Sequence, residues 1–100
     1  MQKSLTTFII LFSIFSFSQE ITIKGSIKDN KNRSIQNASV SLLDENNDFL
    51  GYDFTNENGL YSISFDKTKN QTIKIEISCL GYKKITQTIN ATNQNLNYQL

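Results

Sequence analysis

The chain has 100 residues, 10 basic and 9 acidic, with one cysteine and no histidine, proline or tryptophan. That length holds one domain. The missing histidine excludes Ser-His-Asp and Cys-His catalysis and removes the commonest metal ligand, and the near-zero net charge gives no long-range field for nucleic acid or an anionic membrane, so both are set aside as partners.

Residues 1–18 are expected to be a signal peptide, with the domain spanning 19–100. Met1-Gln2-Lys3 is a short basic start, Leu5 to Phe17 is rich in Phe, Ile and Leu, and Ser16 and Ser18 stand where a signal peptidase accepts small residues. The apolar run is shorter than the roughly 20 residues that span a bilayer. A cysteine near residue 19, which a lipid-anchored protein would carry, is absent. Removing the leader takes Lys3 with it, leaving acids and bases balanced.

Beyond the leader the apolar residues alternate with period two. Ile21, Ile23 and Ile27 mark a first half-buried strand, and Gly25 on the same face marks a bulge or the close approach of another backbone. After the polar stretch Asp29 to Ser34, Ala38, Val40 and Leu42 define a second strand. Asp44 to Asp48 is a turn, and Phe49 to Thr55 a third strand with Leu50, Tyr52 and Phe54 on one side.

Asn58-Gly59 provides a tight reversal into a fourth strand whose Tyr61, Ile63 and Phe65 face inward. A loop over Asp66 to Gln71 precedes the clearest alternation, with Ile73, Ile75, Ile77 and Cys79 on one face. Leu80-Gly81-Tyr82 breaks it. Ile85 and Ile89 carry a sixth strand, and Leu96, Tyr98 and Leu100 a seventh. No sustained 3.6-residue period follows the leader. Short strands about ten residues apart predict an all-β, seven-stranded antiparallel sandwich. With no proline to blunt the sheet edges, lysines, bulges and short strands are expected to protect them.

The chemistry-bearing candidates reduce to architecture. Cys79 lacks a histidine partner and reads as a buried structural thiol. Asp44, Asn46 and Asp48 have the spacing of a calcium loop without its glycine and closing glutamate, so a solvated hairpin is expected. Tyr52, Tyr61 and Tyr98 are assigned to core packing rather than to a sugar-stacking platform. Tyr82, after Gly81, is expected to anchor a corner by a hydroxyl-to-backbone bond. Lys83 and Lys84 point to opposite faces and make no patch. No catalytic, metal or cofactor residues are assigned.

Four segments together resemble the carboxypeptidase regulatory-like domain, a transthyretin-like β-sandwich: Ile23 to Asp29 with its glycine, Ile35 to Val40 with Ala38 and Val40, Thr55 to Ile63 with Asn58, Gly59, Tyr61 and Ile63, and Ile77 to Lys83 with Gly81 and Tyr82. The chain departs from that pattern in lacking the proline and glycine before Ala38 and in having Asn56 for an aspartate. The resemblance implies a non-enzymatic accessory module. Such domains often follow the signal peptide of TonB-dependent outer-membrane receptors in Gram-negative bacteria. It also implies export to the periplasm, the outer membrane or the medium, with a protein, carbohydrate or peptide as partner and a soluble mature domain. The alternative is a module binding carbohydrate or peptide through its loops.

Overall fold

The computed structural model describes residues 19–66 and 72–100. The expected signal peptide, and residues 67–71 of the expected loop, lie outside the described residues. The strands are β1 (Glu20–Lys28), β2 (Ser39–Leu43), β3 (Phe49–Phe54), β4 (Leu60–Asp66), β5 (Thr72–Ser78), β6 (Ile85–Asn90), β7 (Gln94–Asn95) and β8 (Tyr98–Gln99). One sheet runs β4-β1-β7, with β8 also paired to β1; the other runs β3-β2-β5-β6. The two sheets enclose one core of Ile23, Ile27, Val40, Leu42, Ile73, Ile75 and Ile77, all essentially inaccessible to water. These are the inward positions of the alternation, and the β-branched side chains among them suit a pleated surface.

The expected sandwich is therefore observed, with a different last strand. The C-terminal segment is split into β7 and β8, and both pair parallel to β1, Ile23 and Lys24 opposite Gln94 and Asn95, and Ile27 and Lys28 opposite Tyr98 and Gln99. Leu96 sits at the break, where its N–H donates to the Lys24 carbonyl at 2.8 Å. Leu96, Tyr98 and Leu100 pack against the core as the alternation requires.

Three of the turns are built alike. Asp29, Asp44 and Asn56 each accept, through Oδ1, the N–H groups of the second and fourth residues that follow: Lys31 and Arg33, Asn46 and Asp48, Asn58 and Leu60. In each, the carbonyl of the first residue also accepts the fourth residue's N–H, and its own N–H donates to the fifth residue's carbonyl. The fourth residue is left-handed in every case: Asn32 at φ 66°, Asn47 at 66° and Gly59 at 74°. This is a turn closed by a one-residue bulge, and an Asx side chain at its head satisfies amides the backbone leaves free. The Asn58-Gly59 reversal is thus of another kind than a two-residue hairpin. Only Gly59 is left-handed, and Asn56 heads the turn.

Side chains close the sheet edges in this proline-free chain. The bond from the Ile27 N–H to the Gly59 carbonyl fixes the alternation so that Leu60 and Ser62 present their amides away from β1. Asn56 Oδ1 takes the first at 3.0 Å and Asp53 Oδ2 the second at 2.9 Å. Asp53 Oδ1 also takes the Phe54 amide on the neighbouring edge of β3. On the far side of β1, Asn93 Oδ1 accepts the Thr22 N–H and Asn97 Oδ1 the Ser26 N–H. Each capped amide is one fewer offered to a foreign strand.

Candidate interaction surface

The residues singled out from the sequence form one architectural group and one separate loop. Gly25 is the cross-strand partner of Tyr61, and Ile23 that of Ile63. Gly25 faces inward because the C-terminal segment crosses there. A Cβ on it would lie 1.7 Å from the Leu96 carbonyl oxygen. That carbonyl accepts the Tyr61 hydroxyl at 2.7 Å, and burial, with Tyr98 nearby, holds the Tyr61 phenol far above its ordinary range. Ala38, just before β2, and Val40, on it, are fully buried. The Ala38 N–H donates to Thr55 Oγ1 at 2.9 Å, and the Thr55 hydroxyl donates to the Ile35 carbonyl at 2.7 Å.

In the sequence Thr55 stands only as the end of the expected third strand; its buried hydroxyl is the bolt between the β1–β2 connection and the end of β3. Replacing it with isosteric valine leaves a buried N–H and a buried carbonyl without partners. Thr55→Val is expected to lower stability by about 3 kcal/mol, read as the midpoint of denaturant unfolding, while Thr55→Ser keeps most of it. Equal midpoints for Thr55→Val and wild type would show that the hydroxyl is dispensable.

Gly81 and Tyr82 lie apart from this group, in the β5–β6 connection. The Tyr82 side chain is 41% exposed, and its hydroxyl donates to no described residue. The corner bond expected of Tyr82 is made by Tyr61. The reason is positional: Tyr61 is on the inward face of β4 beneath a carbonyl that has left its ladder, whereas Tyr82 follows a left-handed glycine (φ 90°) in an exposed turn. Tyr61→Phe is expected to cost about 1 kcal/mol and Tyr82→Phe almost nothing. The reverse order of melting temperatures would contradict this assignment.

Cys79 is half-buried, one residue beyond β5, and packs on the rim of the core. Asp44 directs Oδ1 into its own turn, as described. Asp29 does the same and also binds the Arg33 Nε at 2.8 Å. Its carboxyl is held below the usual range, chiefly by the Arg33 amide and against the effect of burial. Among the described residues no group of three His, Cys, Asp or Glu could hold a metal ion.

The third strand overturns an expectation. Leu50, Tyr52 and Phe54 were expected to share an inward face, yet Tyr52 is 66% and Phe54 54% exposed, and Phe49 beside them is 70% exposed. The register with β2 explains it. Leu42 pairs with Gly51 and Val40 with Asp53, so Gly51 and Asp53 take the inward side. A register shift between Leu42 and Leu43 leaves Leu50 to pack partly on the core. Gly51 is required beneath Ile63, whose Cγ2 would meet a Cβ there at 2.8 Å. The apolar face of this edge strand is therefore turned to water beside Ser39 and Ser41. Near it, Phe54 and Leu60 help line a shallow hollow of about 580 Å³ with Lys24, Ser62 and Asn95.

Two sheets packed face to face, joined by bulged turns and capped along part of their edges by polar side chains, define a transthyretin-like β-sandwich module. Residues 22–100 match the carboxypeptidase regulatory-like domain, and the chain belongs to that family. Among solved structures it is similar to catechol 1,2-dioxygenase from Acinetobacter sp. ADP1 inhibited by bound mercury. The TM-score is 0.56 and the identity 17%, over 77% of this chain and 38% of the dioxygenase. At that identity the likeness concerns the fold alone, and the chain matches well under half of the dioxygenase's length. No curated protein matches the chain.

Proposed function

We propose that the chain is an exported, non-enzymatic accessory module that works by protein–protein contact, serving a TonB-dependent outer-membrane receptor system or standing alone as a relative of such domains. Family membership supports an accessory role, and the leader-like residues 1–18 support export. The observation that carries the contact role is the solvent-facing aromatic row of β3. A domain of this size gains stability from each apolar side chain it buries, and here three aromatic rings on one strand are left out of the core. Contiguous exposed apolar surface of this kind marks interaction sites, and aromatic residues dominate protein interfaces.

The ring geometry favours protein over glycan. Tyr52 and Phe54 meet edge to face, with centroids 6.0 Å apart and planes at 82°, so they offer no common plane on which a sugar ring could stack. A photo-crosslinking residue at Tyr52, compared with one at Thr86 on the far edge of the same sheet, tests the reading in the native host. A discrete envelope-protein adduct is expected from position 52 only. Identical adducts from both positions, or amide shifts at β3 on titration with a glycan panel, would refute it.

A further inference from the structure

Among the described residues the charges are unevenly placed. β1 and β8 end, and β2 and β6 begin, at one end of the sandwich, and the connections there carry Lys28, Lys31, Arg33, Lys83 and Lys84 against Asp29 and Glu57. The opposite end carries Glu20, Asp44, Glu45, Asp48 and Asp66, with Lys74 the cation nearest them among the described residues. Two ion pairs temper the basic end, Arg33 to Asp29 at 2.8 Å and Lys84 to Glu76 at 3.7 Å. Lys83 has no ion pair among the described residues.

On that basic end the β5–β6 connection projects Leu80, which is 98% exposed and the most exposed large apolar side chain described. The turn is formed rather than frayed, since the Tyr82 N–H donates to the Cys79 carbonyl at 3.0 Å. Gly81 has nothing within 4 Å of where a Cβ would be, so the tip stands clear of the body. An exposed apolar residue, an amphipathic tyrosine two residues later and, next to it, a lysine unpaired among the described residues are the residue types that a bilayer surface takes in its acyl boundary, interface and headgroups.

We infer that the Leu80–Lys84 tip docks the domain on an anionic lipid surface, Leu80 entering the acyl boundary, Tyr82 lying at headgroup level and Lys83 facing the phosphates, with Lys84 held behind it by Glu76. The near-zero net charge that set membranes aside in the sequence does not apply to a surface contact, which feels only the end within about a Debye length, roughly 8–10 Å at moderate salt.

The chain has no tryptophan, so Leu80→Trp gives a single reporter at a site open enough to take it. The full-length variant is mixed with phosphatidylcholine vesicles with or without phosphatidylglycerol. Its emission is expected to shift to the blue and to be quenched by brominated lipid only when phosphatidylglycerol is present, and the shift to fade in high salt. Lys83→Gln, made in this background, is expected to raise the lipid needed by about fivefold, and Lys84→Gln, whose charge is shared with Glu76, by less. Asn46→Trp, in the turn at the acidic end, is the control that separates tip insertion from adsorption through the apolar run of residues 5–17, and its emission is expected not to move. Unchanged emission of Leu80→Trp on anionic vesicles, an equal shift on phosphatidylcholine alone, an equal shift of Asn46→Trp, or a stronger response to polyglutamate than to vesicles would each overturn the inference.

Discussion

Gly25→Ala is expected to release the C-terminal segment from the first sheet and to lower the melting temperature by an amount on the order of 15 °C, corresponding to about 3 kcal/mol in a domain of this size. The backbone at Gly25 is not left-handed, so alanine meets no conformational penalty of its own. The cost comes from one contact. The new methyl group would stand 1.7 Å from the Leu96 oxygen and 2.6 Å from its carbon, and backbone cannot yield as the end of a flexible side chain can. If Leu96 moves, four hydrogen bonds go with it: its N–H to Lys24, its carbonyl to Tyr61, and the two from Ser26 to Asn97 Oδ1. Each is worth about 1 kcal/mol net. Hydrogen exchange supplies the local reading, since the Leu96 amide should lose protection well before amides of β5. Because the Tyr61 bond is among those lost, Gly25→Ala and Tyr61→Phe should be less than additive when combined. A melting curve unchanged by Gly25→Ala, with Leu96 still protected, would show that the close approach is not a structural requirement.

The same residue shows how far the sequence can be read. A glycine at an inward strand position, flanked by isoleucines, announces that something approaches closely. It does not say what, because the approaching group lies some seventy positions further along and is a carbonyl with no side-chain signature. The strands of β1, β2, β4 and β5 were legible because each buries one face and leaves the other wet, so apolar spacing and burial agree. β3 was misread for the opposite reason. Its apolar residues alternate as cleanly as any, but the register with β2 decides which set faces inward, and register is a pairing property that one strand does not contain. The outward-turned alternation is the observation on which the proposed contact role rests.

Turn chemistry was half legible. The segments headed by Asx residues 29, 44 and 56 read as polar connections between strands, yet their identical bonding shows only when the three turns are superposed in the fold. Asp44, Asn46 and Asp48 have calcium-loop spacing, but the turn uses a side-chain oxygen only at its head. In this chain the Asp44 oxygen serves backbone N–H groups. The departure of Asn56 from the family's aspartate is neutral in this respect, since a carboxamide oxygen accepts the same two amides. The tyrosine corner was assigned to Tyr82 by its place after a glycine, whereas the hydroxyl bond belongs to the tyrosine that burial leaves without water.

The three matched turns also make the strongest case for a single irreplaceable residue. Asn32, Asn47 and Gly59 hold equivalent left-handed positions, so conformational preference alone would let all three be asparagine or all three glycine. Burial separates them. Asn32 and Asn47 are exposed, while Gly59 is buried, its missing Cβ 2.7 Å from the Ile27 carbonyl oxygen, 3.2 Å from the Ser34 Cβ and 3.3 Å from the Ile35 nitrogen. Gly59→Val combines a β-branched residue at positive φ, costing about 1–3 kcal/mol, with a clash against backbone that the first sheet cannot move without losing the Ile27-to-Gly59 bond. Loss of at least half of a total stability of about 5–15 kcal/mol is expected, seen as a largely unfolded population at ambient temperature. Gly59→Asn isolates the second cost, because asparagine accepts the backbone angle yet still brings a Cβ into the 2.7 Å gap; it should fall between wild type and Gly59→Val. Asn32→Gly and Asn47→Gly, at the open turns, should leave the melting temperature within a few degrees of wild type. If Gly59→Asn melts with the wild type, left-handed geometry is the whole requirement at this turn, and the packing of Ile27 and Ile35 over it contributes nothing to the choice of glycine.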